Sequence, residues 1–286
     1  MVLIMKIIEF AKEMKIYSER FRLEGKKIAF VPTMGYFHEG HLFLMREAKK
    51  MADFLAVSIY VNPTQFGPRE DLSKYPRDFE RDAKMAQDVG VDVIFYPSNE
   101  EMYPRGYQTY VDVEEVTKNL CGLSRPVHFR GVTTICAKLF HIVKPHIAVF
   151  GKKDYQQYIT IKRMVTDLNM DLEIVGLPTV READGLAMSS RNVYLKEERP
   201  SALALIASLK LAQELYDQGE RESSKIISQV RKLISQAPYT DIDYVKICDT
   251  ETIKDVDKVG KGDFIALAVK VAKTRLIDNH VFGEKI

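Results

Sequence analysis

The chain has 286 residues, 46% hydrophobic and 29% charged, a globular balance with room for one large or two moderate domains and a sizeable core. With 42 basic against 40 acidic residues, the formal net charge of +2 does not advertise a nucleic-acid or membrane partner. The three cysteines, Cys121, Cys136 and Cys248, are widely spaced and odd in number, which argues against a disulfide framework or zinc ribbon and fits a reducing, cytoplasmic compartment.

In chain order, the opening run "MVLIMKIIEFAKEMK" is broken early by Lys6 and Glu9, and reads as a short amphipathic helix rather than a signal peptide. No window approaches 18 apolar residues, so no membrane span is expected. Continuous runs rich in β-branched residues follow at 26–33, 54–61, 91–97, 147–151 and 172–180. Buried parallel strands look like this, because helices cover both faces of their sheet. Helical patterns at 40–52, 76–89, 131–144 and 154–169 lie between them. The alternation predicts an α/β fold with a doubly wound parallel sheet. After about residue 182 the character changes. Helical spacing covers 199–219 and 222–237, and "DIDYVKICD" and "FIALAVKVAKTRLIDN" then alternate like an antiparallel pair. The expected organisation is a domain over 1–182 and a smaller α+β domain over 183–286.

Ligands of open α/β sheets sit beyond the carboxyl ends of the strands, so the segments just after the runs carry the chemistry. In "PTMGYFHEGH", Gly35 frees a turn, and His38 and His41 share one face at the start of a helix, whose unpaired N–H groups and dipole favour phosphate. Capping with packing, or half of a metal site, fits the spacing equally; H-E-x-x-H is absent and no third ligand is near. In "VNPTQFGPREDLSKYPRDFERD", Asn62 and Gln65 are neutral hydrogen-bonders, and Asp78 and Asp82 are either solvated helix residues or aids to a magnesium ion. Arg125, His128 and Arg130 cluster before a helix. Gly151, Lys152, Lys153, Asp154 and Gln157 follow the next strand, without the spacing of a Walker loop or of a dinucleotide fingerprint. "DGLAMSSRN" is donor-rich, as a phosphate clamp or an ordinary linker would be. No activated serine or cysteine nucleophile is visible, and the whole suits chemistry by positioning and charge stabilisation.

Six ordered stretches, "PTMGYFHEGH", "VNPTQFG", "YPRDFERD", "HFRGV", "FGKKDYQQ" and "GLAMSSRN", resemble the signatures of the pantothenate synthetase family, within the wider H-x-G-H nucleotidylyl transferases. The resemblance covers nearly the whole chain. It implies a Rossmann-like catalytic domain for ATP and pantoate over 1–182, with 183–286 closing over the site. It implies a ligase that joins pantoate to β-alanine through pantoyl adenylate, releasing AMP and pyrophosphate, with Mg2+ accompanying ATP. Carried over by position, His38 and His41 contact the ATP phosphates, and His41 is the proton donor. Met34, Gly35 and Gly40 line the nucleotide side. Gln65 and Gln157 hold pantoate, with Asn62 assisting and Gln65 also near β-alanine. Gly151, Lys152, Lys153 and Asp154 bind ATP, with Lys153 on phosphate and Asp154 on ribose. Val180 meets adenine through its backbone. Met188, Ser189, Ser190 and Arg191 form a second clamp. Asp82 aids magnesium, and Arg125 and His128 support the site. Tyr36 and Phe37 depart from the family pattern without touching this chemistry. The implied state is a cytoplasmic homodimer without nucleic-acid or membrane partners. Another H-x-G-H transferase, such as a cytidylyltransferase, is the alternative enzyme; a nucleotide-binding module without turnover is the alternative of another class.

Overall fold

The computed structural model describes residues 5–68 and 70–286. Two compact units divide the chain. One comprises Met1–Val113, Arg125–Lys152 and Thr160–Pro178; the other comprises Glu114–Ser124, Lys153–Ile159 and Thr179–Ile286.

The first unit is built on β1 (Lys6–Ile8), α1 (Ala11–Leu23), β2 (Ile28–Thr33), α2 (Glu39–Met51), β3 (Phe54–Ile59), α3 (Phe79–Asp88), β4 (Val93–Phe95) and α4 (Asn99–Met102). After α5 (Cys121–Ser124), which belongs to the other unit, come α6 (His128–Val143), β5 (Ile147–Gly151), α7 (Tyr155–Asp167), whose first residues up to Ile159 also belong to the other unit, and β6 (Glu173–Leu177). Six strands form one sheet in the order β1-β4-β3-β2-β5-β6, with every pairing parallel. Successive side chains of a strand point to opposite faces. Ala29, Val31, Leu55, Val57, Ile59, Ile94, Ile147 and Val149 pack on one face with Met45 and Ala48 of α2 and Ala86 of α3. On the other face Phe54 stacks on Phe21 of α1, and Phe140 of α6 meets Phe30 and Phe150 edge-on. Helices therefore cover both faces, and this is why the strands read as unbroken apolar runs. The doubly wound α/β expectation holds.

The N-terminal expectation does not. Where a helix was read from the first residues, Lys6–Ile8 is an edge strand parallel to β4, and α1 starts only at Ala11. Residues 1–4 lie outside the described residues.

In the second unit, α8 (Arg199–Asp217) and α9 (Ser223–Gln236) precede an antiparallel sheet of β7 (Thr240–Cys248), β8 (Phe264–Val271) and β9 (Thr274–Val281), in that order. Leu205, Leu209, Ile226, Val230 and Ile234 of the helices bury against Val245, Ile265, Leu267 and Leu276 of the sheet. The run 264–279, read as one strand of a pair, is split by a tight turn in which Ala272 takes the left-handed conformation at φ 51°. The antiparallel pair is a three-stranded sheet.

Candidate active site

The strand order reverses direction of growth between β2 and β5, which makes the carboxyl ends of these two strands a topological switch point. The ends of β2 and β3 are tied together there. Thr33 Oγ1 donates to the Ser58 carbonyl at 2.6 Å, and Tyr60 N–H donates to the Thr33 carbonyl at 3.1 Å.

The turn after β2 is a strained one with its own anchor. Gly35 has φ 81°, and Tyr36, with a full side chain, has φ 53°. That conformation costs a non-glycine residue about 1–2 kcal/mol. Asp82 of α3 offsets it. Its Oδ2 accepts the Tyr36 N–H at 2.5 Å and its Oδ1 the Phe37 N–H at 2.7 Å. Arg81 adds a bond from Nη2 to the Phe37 carbonyl at 2.9 Å, and its guanidinium lies 5.2 Å from the Tyr36 ring centroid. A Cβ on Gly35 would stand 3.0 Å from Asp82 Oδ2, so glycine suits both the angle and the space. Burial pushes the Asp82 carboxyl up, against the opposing pull of the two N–H groups and Arg81.

This turn delivers His38 to the N-cap of α2 and His41 to its first turn. The rings are 4.1 Å apart between centroids. His41 Nδ1 accepts the backbone N–H of His38 at 3.3 Å. A ring nitrogen that accepts cannot carry the proton in the neutral imidazole, so the proton of His41 sits on Nε2. The pair thus serves as a cap. Gly151 ends β5, and a Cβ there would stand 3.8 Å from Leu44 of α2.

A polar cluster lies after β3. Asn62 and Gln65 are 1% and 7% exposed, and Asn62 Nδ2 donates to Gln65 Oε1 at 3.1 Å. Gln65 Nε2 faces Met34 Sδ at 3.0 Å. His128 Nδ1 lies 3.0 Å from the Gln65 carbonyl, which can only accept, so this nitrogen carries the proton. Arg125 Nη2 also donates to that carbonyl, at 3.3 Å, and holds Glu70 through two bonds of 2.8 and 2.6 Å. Burial pushes the Glu70 carboxyl up, but the Arg125 guanidinium outweighs it and holds the group below the usual carboxylate range. Arg125 and His128, expected as supports, fix the backbone of Gln65.

The second unit carries Lys153, Asp154, Gln157, Val180, Met188, Ser189, Ser190 and Arg191. Lys153 Nζ is 3.6 Å from Asp154 Oδ2, and the Lys153 carbonyl accepts from Asn279 Nδ2 at 2.8 Å. Of the two glutamines in "DYQQ", Gln156 is buried and bonds Val116, Asn119 and Cys121, whereas Gln157 is half-buried. "READGLAM" is a narrow hairpin. Met188 N–H donates to the Val180 carbonyl, and Glu182 N–H to the Leu186 carbonyl. Arg181 beneath it makes two bonds to the buried Asp278, of 2.7 and 3.1 Å. Ser189 then caps a short 3-10 helix, Ser190–Tyr194, by accepting the Arg191 N–H. The donor-rich stretch is an ordered, capped structure rather than a slack linker.

Several contributors gave no signal in sequence: Thr64 and Tyr103 beside Asn62, and Arg181, Asp278 and Asn279 behind the second segment. Asp82 is misplaced for a metal role. It is 1% exposed, and both its oxygens are engaged by backbone N–H groups. Among the described residues, no group of three or more His, Cys, Asp or Glu is placed to hold a metal ion.

The family model of pantoate–β-alanine ligase matches residues 6–281. The chain belongs to the pantoate–β-alanine ligase family. A member of that family, the pantothenate synthetase of Syntrophus aciditrophicus, is 67% identical over 283 residues, 99% of each chain. That of Geobacter sulfurreducens is 56% identical over 282 residues, 98% of this chain and all of its own. Among solved structures of the family, the Thermus thermophilus enzyme superposes with a TM-score of 0.92 at 42% identity, covering 96% of this chain and 99% of its own. The Francisella tularensis ligase, described in complex with β-γ ATP and β-alanine, gives 0.77 at 31% identity over 97% and 98% of the two chains.

Proposed function

We infer that the chain is an ATP-dependent ligase that condenses pantoate with β-alanine, and that it works through an acyl adenylate. A carboxylate is a poor acylating agent until one of its oxygens belongs to a good leaving group. In the first step the pantoate carboxylate attacks the α-phosphorus and pyrophosphate leaves. In the second the β-alanine amine attacks the acyl carbon and AMP leaves. Neither step needs a covalent bond to the protein; both need alignment of anions and neutralisation of charge.

The observation that carries the residue assignment is the place of His41 in the first turn of α2, beside the switch point, with its Nδ1 accepting the His38 N–H. Nε2–H is a donor where charge gathers on the phosphates, next to N–H groups of the first turn. His41 is the proton donor and His38 its neighbour on phosphate. Met34, Gly35, Gly40, Gly151 and Lys152 line the nucleotide. Lys153, Ser189, Ser190 and Arg191 act on phosphate, Asp154 on ribose, and Val180 and Met188 on the base side. Gln65 and Gln157 hold pantoate with Asn62 assisting; the burial of Gln156 supports Gln157 as the member of that pair open to a ligand. Magnesium commonly accompanies a nucleotide triphosphate. Asp82, the residue carried over for it, does not fit, because its oxygens hold the turn at Tyr36 and Phe37.

A homodimer in the cytoplasm completes the reading. Ile16 and Leu23, seven apart on α1, are 65% and 80% exposed, apolar surface that a second copy would cover. No helix among the described residues is long and apolar enough to cross a membrane.

Pyrophosphate exchange into ATP tests the chemistry. Exchange is expected to require pantoate; exchange that ignores pantoate or runs with another acid overturns the assignment.

A further inference from the structure

The amide of Gln65 is held in one orientation by groups whose donor and acceptor roles are forced. The chain of constraint starts at the Gly131 carbonyl, which can only accept. Asn62 Nδ2 lies 3.0 Å from it. The NH2 of Asn62 therefore faces α6, and its oxygen faces the other way. There Oδ1 meets the Tyr103 hydroxyl at 2.9 Å and the Thr64 hydroxyl at 3.0 Å. The second proton of Asn62 Nδ2 goes to Gln65 Oε1 at 3.1 Å. Gln65 is left with its oxygen engaged and its own NH2 turned to Met34 Sδ, 3.0 Å away. A thioether is a weak acceptor, so a substrate oxygen arriving there meets an under-used donor.

Gly131 makes this arrangement possible. A Cβ at that position would stand 2.5 Å from the Thr64 carbonyl oxygen and 2.6 Å from the Gln65 nitrogen. Only glycine lets α6 come close enough for its carbonyl to reach Asn62. Tyr103 is held in turn by its ring, edge-on to Tyr107 at 4.9 Å, with the Lys138 ammonium 5.5 Å from its centroid. Burial pushes the Tyr103 phenol up to about 12, so it stays a donor throughout the neutral range.

We propose that Tyr103, acting through Asn62, is a positioning residue that fixes Gln65 as a hydrogen-bond donor to an oxygen of the acid substrate. The site thereby selects an acid with a carboxylate or hydroxyl oxygen at that point over one with a donor or a methyl group. This inference rests on the reading of Gln65 as a pantoate-binding residue.

The test is Tyr103→Phe, which keeps the ring and removes only the hydroxyl. KM for pantoate is expected to rise about fivefold, with KM for ATP and the melting temperature unchanged. Thr64→Val removes the other hydroxyl on Asn62 Oδ1, one that also lies 3.1 Å from the Tyr103 hydroxyl, and tests the Asn62 step of the relay by the same readout should Tyr103→Phe fold poorly; an unchanged pantoate KM there overturns the relay. An unchanged pantoate KM overturns the proposal. So does a parallel rise of both KM values with a lower melting temperature, which is the signature of a merely structural role. Gln65→Ala separates the two layers. If it leaves pantoate KM alone, the reading of Gln65 fails; if it raises that KM while Tyr103→Phe does not, only the role of Tyr103 fails.

Discussion

His41 has two jobs that a substitution can separate. Its Nδ1 accepts the His38 N–H, a cap worth about 1 kcal/mol, and its Nε2 proton is the proposed donor to phosphate. His41→Ala is expected to lower kcat by a factor of about 100–10000, as loss of a positioned proton donor does. The unfolding free energy should fall by only about 1 kcal/mol, measured by denaturant titration. Equal proportional loss of folding and turnover would return His41 to the capping role alone. His280 makes a different prediction. It is 6% exposed, and its Nε2 lies 2.8 Å from Gln213 Oε1. Burial, with Arg181 nearby, pushes its imidazole down to about 4. The unfolded chain takes up this proton near pH 6.5, and the folded chain does not until pH 4. The neutral ring therefore contributes stability that is full above pH 6.5 and is lost as the pH falls toward 4, up to about 3 kcal/mol. His280→Phe should flatten that part of the curve of unfolding free energy against pH; an unchanged acid limb would assign it to other groups.

At the scale of elements, close approach decides what the site is. The Gly131 backbone meets residues 64 and 65 so tightly that a methyl group has no space. Gly131→Ala is expected to cost about 1–3 kcal/mol in unfolding free energy and to raise pantoate KM, since α6 must retreat and take with it the carbonyl that orients Asn62. A stable variant with normal pantoate KM would show that the loop yields without moving the amide. The same scale separates what the sequence disclosed from what it did not. The strands β2, β3 and β5 and the helices α2 and α6 were legible because both faces of the sheet are covered, so their runs are apolar throughout. β1 was not, because three residues at a sheet edge are too few to show a period, and their pairing with β4 is a contact across more than 80 residues. The turn between β8 and β9 escaped notice because it is made at Ala272 and Lys273, without the Gly or Asn that usually announces a left-handed position.

At the scale of the molecule, sedimentation is expected to give a mass twice the 32.8 kDa of the chain, with the exposed Ile16 and Leu23 covered in the dimer. A monomer at micromolar concentration, or a dimer unaffected by Ile16→Glu, would reject that surface. The sequence by itself determined the class of fold, because periodicity follows from which faces are buried. It also carried the six ordered motifs that mark the family, since chemistry on phosphates needs glycines, cations and histidines at fixed positions after strands. What those residues do with their hydrogen bonds was decided only by tertiary structure. Asp82 turned from a metal aid into the anchor of a strained turn. Asn62 turned from a loop amide into the middle of a relay from Tyr103 and Gly131 to Gln65. The reason is physical: a donor or acceptor is defined by its partner, and apart from the Asn62–Gln65 pair these partners lie tens of residues away, so little in the local sequence records them.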